Sequence, residues 1–174
     1  MNNWYVITGG PSSGKTTLIK LLGGKGYRVI HEQARELIDQ ELYKGKTLGQ
    51  IRRDEGKFQK KVLEMKITLE KKLSKEELIF FDRGIPDTLA YCWFHKIPVD
   101  KLLKKALKKS SYKKVFLLEL IKYYEDYARN ESAEESREIE KLLEKTYRGL
   151  NMSVIKVPEG TIKERVKFIL KNIN

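Results

Sequence analysis

Gly9-Gly10-Pro11-Ser12-Ser13-Gly14-Lys15-Thr16 fits G-x-x-x-x-G-K-[ST], and it stands between the apolar run Trp4-Tyr5-Val6-Ile7 and the helical pattern Thr17-Leu18-Ile19-Lys20-Leu21-Leu22. A strand feeding a glycine-rich loop that opens a helix is the context in which this pattern binds phosphate. The glycines let successive backbone N–H groups turn toward a polyphosphate, and the helix adds its positive N-terminal end. Gly9 through Thr17 are therefore the expected nucleotide-binding residues. Lys15 is placed to reach the β- and γ-phosphates, and the Thr16 hydroxyl to ligate Mg²⁺.

Outward from this loop, strand-like and helix-like segments alternate. Tyr27-Arg28-Val29-Ile30 reads as a second strand, Leu78-Ile79-Phe80-Phe81 as a third buried on both faces, Lys114 to Leu118 as a fourth and Met152 to Val157 as a fifth. Helical periodicity covers Ala34 to Tyr43, a long segment with Phe58, Val62, Met65, Leu69 and Leu73 on one face, Pro86 to Phe94, and Lys101 to Lys108. It returns through Ile139, Leu142, Leu143 and Tyr147 and in a last helix after Pro158-Glu159-Gly160-Thr161. The alternation implies an α/β fold of three layers: a five-stranded parallel sheet, helices on both faces, and a ligand crevice at the C-terminal strand ends. Residues 1–174 are expected to form one P-loop NTPase domain with a helical lid over about 122–150.

Composition narrows the setting. At 174 residues the chain can bury a core without a disulfide or structural metal, and Cys92, its one cysteine, lies in an apolar segment and reads as a buried small hydrophobe. There is no secretory leader pattern and no apolar run long enough to span a bilayer, so a cytoplasmic protein is expected. The net charge of +12 includes Lys101, Lys104, Lys105 and Lys108, which recur at helical spacing opposite Leu102, Leu103, Ala106 and Leu107. This stripe reads as a solvated face, with a polyanion-docking surface as the alternative.

Candidate site residues follow from strand ends. Asp82 closes the third strand, where its carboxylate can serve as a second Mg²⁺ ligand or alternatively cap the next helix. Arg83 either contacts the acceptor or phosphate or pairs with Asp87. Glu32 and Arg35 follow the second strand: a carboxylate there can take the proton of an attacking hydroxyl and a guanidinium can hold a polar group, or the two form an N-terminal helix pair. Arg129 and Arg137 lie where small P-loop kinases close arginines over the transferring phosphoryl group, with a solvated helical hairpin as the alternative and Arg148 as a weaker candidate. His31 is expected to be packed or hydrogen-bonded, and neither it nor His95 has metal-ligand spacing. Pro158 to Thr161 lines a nucleobase pocket or is a turn.

Together GGPSSGKTTL, HEQARELI, FQKKVLEMKITLE, FFDRGIPDTLAY, YEDYARNESAEESREIEKLLEKTYRGL and the final VP before a basic helix resemble an AAA-type P-loop domain. That domain is shared with the nicotinamide riboside kinases of bacterial NAD regulators and with a eukaryotic phospholipid-binding trafficking regulator. The resemblance implies a nucleoside- or nucleotide-kinase-like fold, ATP rather than the alternative GTP, Lys15 and Thr16 on ATP and Mg²⁺, and Asp82 at the metal or base position. It also implies Glu32 with Arg35 facing the acceptor and Arg129 as the lid arginine. The chain departs from the riboside kinases in carrying DRG-x-PD after its third strand, so their nucleoside specificity is not carried over.

The leading expectation is a small-molecule kinase moving the γ-phosphoryl of ATP to a hydroxyl or phosphate acceptor, nucleoside-like or another metabolite. Lys15, Asp82, Glu32, Arg129 and Arg137 are its catalytic candidates, and Glu32, Arg35 and Arg83 face the substrate. The second expectation is a nucleotide-dependent switch that hydrolyses slowly and docks on anionic lipid or a protein partner; the third is a polynucleotide 5′-hydroxyl kinase.

Overall fold

The computed structural model describes residues 2–120 and 132–173. Strands β1 (Trp4–Gly9), β2 (Arg28–Ile30), β3 (Ile79–Asp82), β4 (Lys114–Leu118) and β5 (Val154–Val157) pair in parallel in the order β2-β3-β1-β4-β5. In register, Trp4 faces Ile79 and Ile7 faces Asp82, while Tyr5 faces Lys114 and Gly9 faces Leu118. The chain leaves β1 for β2 and β3 on one side and later adds β4 and β5 on the other, so the C-terminal end of β1 opens between its two neighbours. That is where ligand crevices form in sheets of this kind.

Side chains alternate across each strand, and both faces of this sheet are covered, which is why the strands read as unbroken apolar runs. Tyr5, Ile7, Phe80 and Phe116 pack on one face against Leu18, Ile19 and Leu22 of α1 (Lys15–Gly24) and Val166 and Ile169 of α8 (Ile162–Lys171). Trp4, Val6, Ile79, Phe81 and Val115 form the opposite face with Tyr112 and with Tyr147 of α7 (Ala133–Gly149). Ile139 and Leu143 of α7 pack there on Leu117 and on Ala90 of α5 (Ile85–Phe94). The three-layer α/β fold read from the sequence is the one observed.

Two readings are corrected. The single long helix is two: α3 (Leu48–Arg52), whose Thr47 and Gln50 form a capping box, and α4 (Glu55–Glu70), capped by the Asp54 carboxylate on the Lys57 N–H. The buried side of α4 is also rotated from the expected stripe, and carries Phe58, Gln59, Val62, Leu63 and Lys66, with Met65 and Leu69 only half-buried and Leu73 beyond the helix end. The cause is packing on two sides, against Leu37 and Ile38 of α2 (Gln33–Tyr43) and against Ile85 and Leu89 of α5. His31, expected to be packed or hydrogen-bonded, is exposed, and its carbonyl accepts from the Gln33 side chain at 3.1 Å.

Arg165 of α8, unremarked in the sequence, is among the largest fully buried side chains. Its guanidinium donates to the Ser13 carbonyl at 3.0 Å and to the Glu119 carbonyl at 2.9 Å, tying α8 to the glycine-rich loop and to the end of β4. Replacing it by methionine keeps the volume but strips both carbonyls of a donor. Arg165→Met is expected to unfold in urea with a stability loss of about 2–4 kcal/mol, whereas loss within about 0.5 kcal/mol of wild type would show the tie to be dispensable.

Candidate active site

The glycine-rich loop is shaped by close approach. Gly9 has φ +152°, and a Cβ there would stand 2.6 Å from the Leu118 carbonyl oxygen; at Gly10 it would stand 2.6 Å from that of Ser136 on α7. Gly14 caps α1 in the left-handed region at φ +84°. Lys15 is buried, and its ammonium donates to the Gly9 carbonyl at 2.9 Å, the Gly10 carbonyl at 2.7 Å and Ser13 Oγ at 3.0 Å. Pro11 and Ser13 are buried, Ser12, Gly14 and Thr16 half-buried, and Thr17 exposed.

Asp82 ends β3 beside β1 and is 3% exposed. Its Oδ1 is buried without a hydrogen-bond partner among the described residues. Burial pushes its carboxyl up to about 7, the neighbouring Glu32 carboxylate adds to this, and Lys15 and Arg83 oppose it. An orphaned carboxylate oxygen next to the phosphate loop fits the chemistry of a hard cation ligand.

Arg83 follows in a left-handed conformation, φ +69°, which a non-glycine residue holds only when its surroundings over-determine it. Its Nε donates to Glu32 Oε1 at 2.8 Å and its Nη1 to Asp87 Oδ1 at 3.0 Å, while the guanidinium lies 5.2 Å from the Tyr91 ring centroid. Arg83 thus pairs with Asp87, the second of its two alternatives, and it also lines the crevice. Glu32 stands at the N-cap of α2 without a side-chain capping bond, its carboxylate turned to Arg83 instead.

Asp87, 1% exposed, gathers four donors. Oδ1 accepts from Thr8 Oγ1 at 2.7 Å as well as from Arg83, and Oδ2 accepts from the Gly84 N–H at 2.9 Å and from the Tyr147 hydroxyl. Lys66 closes the group from α4, donating to the Gly84 carbonyl at 2.7 Å, and burial pulls its ammonium below the ordinary lysine range. Behind the turn, Tyr112 Oη accepts from the Ile85 N–H at 3.0 Å and donates to Glu70.

One crevice collects Pro11 of the phosphate loop with Glu32, Arg35, Arg83, Asp87, Thr88 and Tyr91, and is also lined by Arg52, Phe58, Gln59 and Lys66. The phosphate loop, Glu32, Arg35 and Arg83 therefore come together as the spacing suggested. Arg137 is exposed on α7, next to the Ser136 that abuts Gly10, and is not among the lining residues; Arg148 is exposed and pairs with Glu144. Arg129 and Tyr123, Tyr124 and Tyr127 lie outside the described residues. Pro158 to Thr161 bends between β5 and α8, and its Thr161 caps α8. Lys66, Gln59 and Phe58 were missed, although Phe58, Val62 and Lys66 recur at four-residue spacing, which puts the lysine on the apolar line. Asp87 was named only as a partner for Arg83.

Among the described residues no helix is long and apolar enough to cross a membrane and no trio of His, Cys, Asp or Glu forms a metal cluster. Cys92 is buried, with its thiol pushed up to about 11 by burial.

Burial raises the Glu70 carboxyl from 4.5 to about 7, against the lowering effects of the Tyr112 hydrogen bond and Lys66. The folded chain then holds a proton that the unfolded chain releases, so the contribution of Glu70 to stability is full below 4.5 and is lost as pH rises through about 7. Glu70→Gln keeps an acceptor for Tyr112 without titrating. Urea unfolding is expected to show the stability of wild type relative to this variant falling between those two pH values; a difference independent of pH would contradict the shift.

None of the curated proteins matches the chain at a significant level. Among solved structures, deoxyadenosine kinase from M. mycoides with products dCMP and dCDP superposes with TM-score 0.72 at 18% identity, over 98% of each chain. Shikimate kinase from Acinetobacter baumannii with shikimate gives 0.58 at 19% identity, over 99% of this chain and 93% of that one. NadR in complex with NR gives 0.61 at 16% identity, over 97% of this chain but 50% of that one. At these identities the likeness is one of fold. The family model described as AAA domain matches residues 4–165, from the first residue of β1 to the buried arginine of α8. By that match the chain belongs to the AAA domain family.

Proposed function

We propose that the protein is a small-molecule kinase that transfers the γ-phosphoryl group of ATP to a hydroxyl or phosphate acceptor seated in the crevice that Glu32, Arg35 and Arg83 line. The observation that carries this reading is that Pro11 of the phosphate loop lines the same crevice as Glu32, Arg35 and Arg83. A donor site and a polar acceptor pocket sharing one wall suit in-line transfer, in which positioning and charge neutralisation supply most of the catalysis. Proteins of this fold that act on a nucleoside and on a small carboxylic acid, the deoxyadenosine and shikimate kinases, support a small acceptor. The NadR likeness keeps nucleosides among the candidates.

In this reading Lys15 exchanges the carbonyls of Gly9 and Gly10 for the β- and γ-phosphate oxygens of ATP. Thr16 and the orphaned Asp82 oxygen would hold Mg²⁺, which when bound neutralises charge on the β,γ-bridge. The oxygen of the acceptor forms a bond to the γ-phosphorus as the bond to the ADP oxygen breaks, and the acceptor proton passes to Glu32 or to Asp82. Arg83, clamped by Glu32 and Asp87, orients the acceptor, with Arg35 beside it at the crevice wall. The lid expected over about 122–150 takes in α7, whose Ile139, Leu143 and Tyr147 are core, so Arg137 sits on the outer face of a packed helix, and Arg129 lies outside the described residues.

The test incubates the protein with Mg²⁺ and γ-labelled ATP against pooled nucleosides, nucleoside monophosphates, vitamins and an oligonucleotide, and separates labelled products from free phosphate. A labelled small-molecule product is expected. Lys15→Ala should lower its formation by about 100-fold or more while circular dichroism stays native. Free phosphate alone, label on the oligonucleotide only, or transfer by Lys15→Ala at the wild-type rate would refute the assignment.

A further inference from the structure

We propose that the pocket between α4 and α6 (Lys101–Lys109) binds a small amphipathic organic anion, a molecule with a compact apolar body and one carboxylate or phosphate. This cavity of about 330 Å³ shares no lining residue with the crevice. Its size falls at the lower end of small-molecule sites. Trp4, Ile67, Ile85, Leu102 and Ala106 form its apolar surface, and the small side chain of Ala106 leaves the space open. Lys71, Lys75, Lys105 and Lys109 ring it, all exposed, and none forms an ion pair among the described residues.

Glu70 is the single acid of the lining. Four ammonium groups around an apolar hollow attract an anion, and the hollow rewards an apolar body rather than a bare phosphate. A concave pocket of this volume suits a free small molecule; a nucleic acid or a flat surface would leave its apolar interior unfilled. Of the basic stripe read from the sequence of α6, Lys105 alone belongs to the ring, and Lys109 joins it from the end of the same helix.

Occupancy reaches the crevice through short connections. Ile85 lines the pocket, and its N–H is held by Tyr112, which in turn donates to Glu70, a second lining residue. Gly84 is packed so closely on the same tyrosine that a Cβ would stand 3.0 Å from its hydroxyl. Arg83 and its left-handed turn come immediately before. A molecule pressed against Ile85 and Glu70 therefore braces the turn that carries Arg83.

The probe is 8-anilinonaphthalene-1-sulfonate, an apolar ring system with one acidic group, titrated into the native protein with its fluorescence as readout. One saturable site is expected, with slower amide exchange at Gly84 and Ile85 when it is filled. Lys105→Glu with Lys109→Glu should weaken binding about tenfold, and Ala106→Leu should abolish it by filling the hollow. Lys20→Glu with Lys167→Glu, which makes the same charge change on α1 and α8, should leave it within about twofold. The proposal is overturned if the α1 and α8 variant weakens binding as much as the α6 variant. It is equally overturned if the probe binds without slowing exchange at Ile85, or fails to bind. None of these readouts depends on phosphoryl transfer, so they stand apart from the kinase assay.

Discussion

The carboxylate of Asp87 accepts hydrogen bonds from four groups that come from three separate parts of the chain, and the crevice is built around it. Thr8 belongs to β1 one residue before the glycine-rich loop, Arg83 and Gly84 belong to the turn after β3, and Tyr147 belongs to α7. Charged hydrogen bonds of this kind contribute about 1.5–3 kcal/mol each, and removing one partner of a buried ion pair costs about 3–5 kcal/mol because the other charge is left uncompensated. The positive φ of Arg83 is affordable only inside such a frame. One buried acid therefore sets where the guanidinium, the neighbouring Glu32 and the phosphate loop lie relative to one another.

The phosphate side is held by different means. Gly9 and Gly10 approach the carbonyls of Leu118 and Ser136 too closely for any side chain, so the loop is wedged between β4 and α7. Arg165 holds it from α8 through the Ser13 carbonyl. Within it, Lys15 satisfies the Gly9 and Gly10 carbonyls and Ser13. The Lys15 ammonium is thus fixed by acceptors of its own loop, and a polyphosphate bound there would have to take their place.

Strand and helix order was legible because each strand is an apolar run and each helix a periodic one. The glycine-rich loop was legible because its function demands an unbroken local pattern. Glu32, Arg35 and Arg83 were placed correctly at strand ends, since the C-terminal edge of a parallel sheet follows from alternation alone. The pairing of Glu32 with Arg83 was not legible: 51 residues separate them, and only the β2-β3-β1 order brings them together. Lys66 reads as another surface lysine until α4 is packed on both α2 and α5. Arg165 sits in a basic helix where nothing local distinguishes it from its exposed neighbours Lys163 and Lys167. Arg137, read as a closing arginine, is exposed on a helix whose other face is core.

Asp87 couples α7 to the turn that positions Arg83. A double-mutant cycle of Asp87→Asn and Tyr147→Phe, followed by urea unfolding, measures that coupling with the least interference from ligands. An interaction energy of about 1–3 kcal/mol is expected between the two sites, because Asp87→Asn takes the charge and one acceptor oxygen from the buried contact and Tyr147→Phe takes its donor. Additive effects, agreeing within about 0.5 kcal/mol, would contradict it and leave Asp87 as an ordinary helix-capping residue.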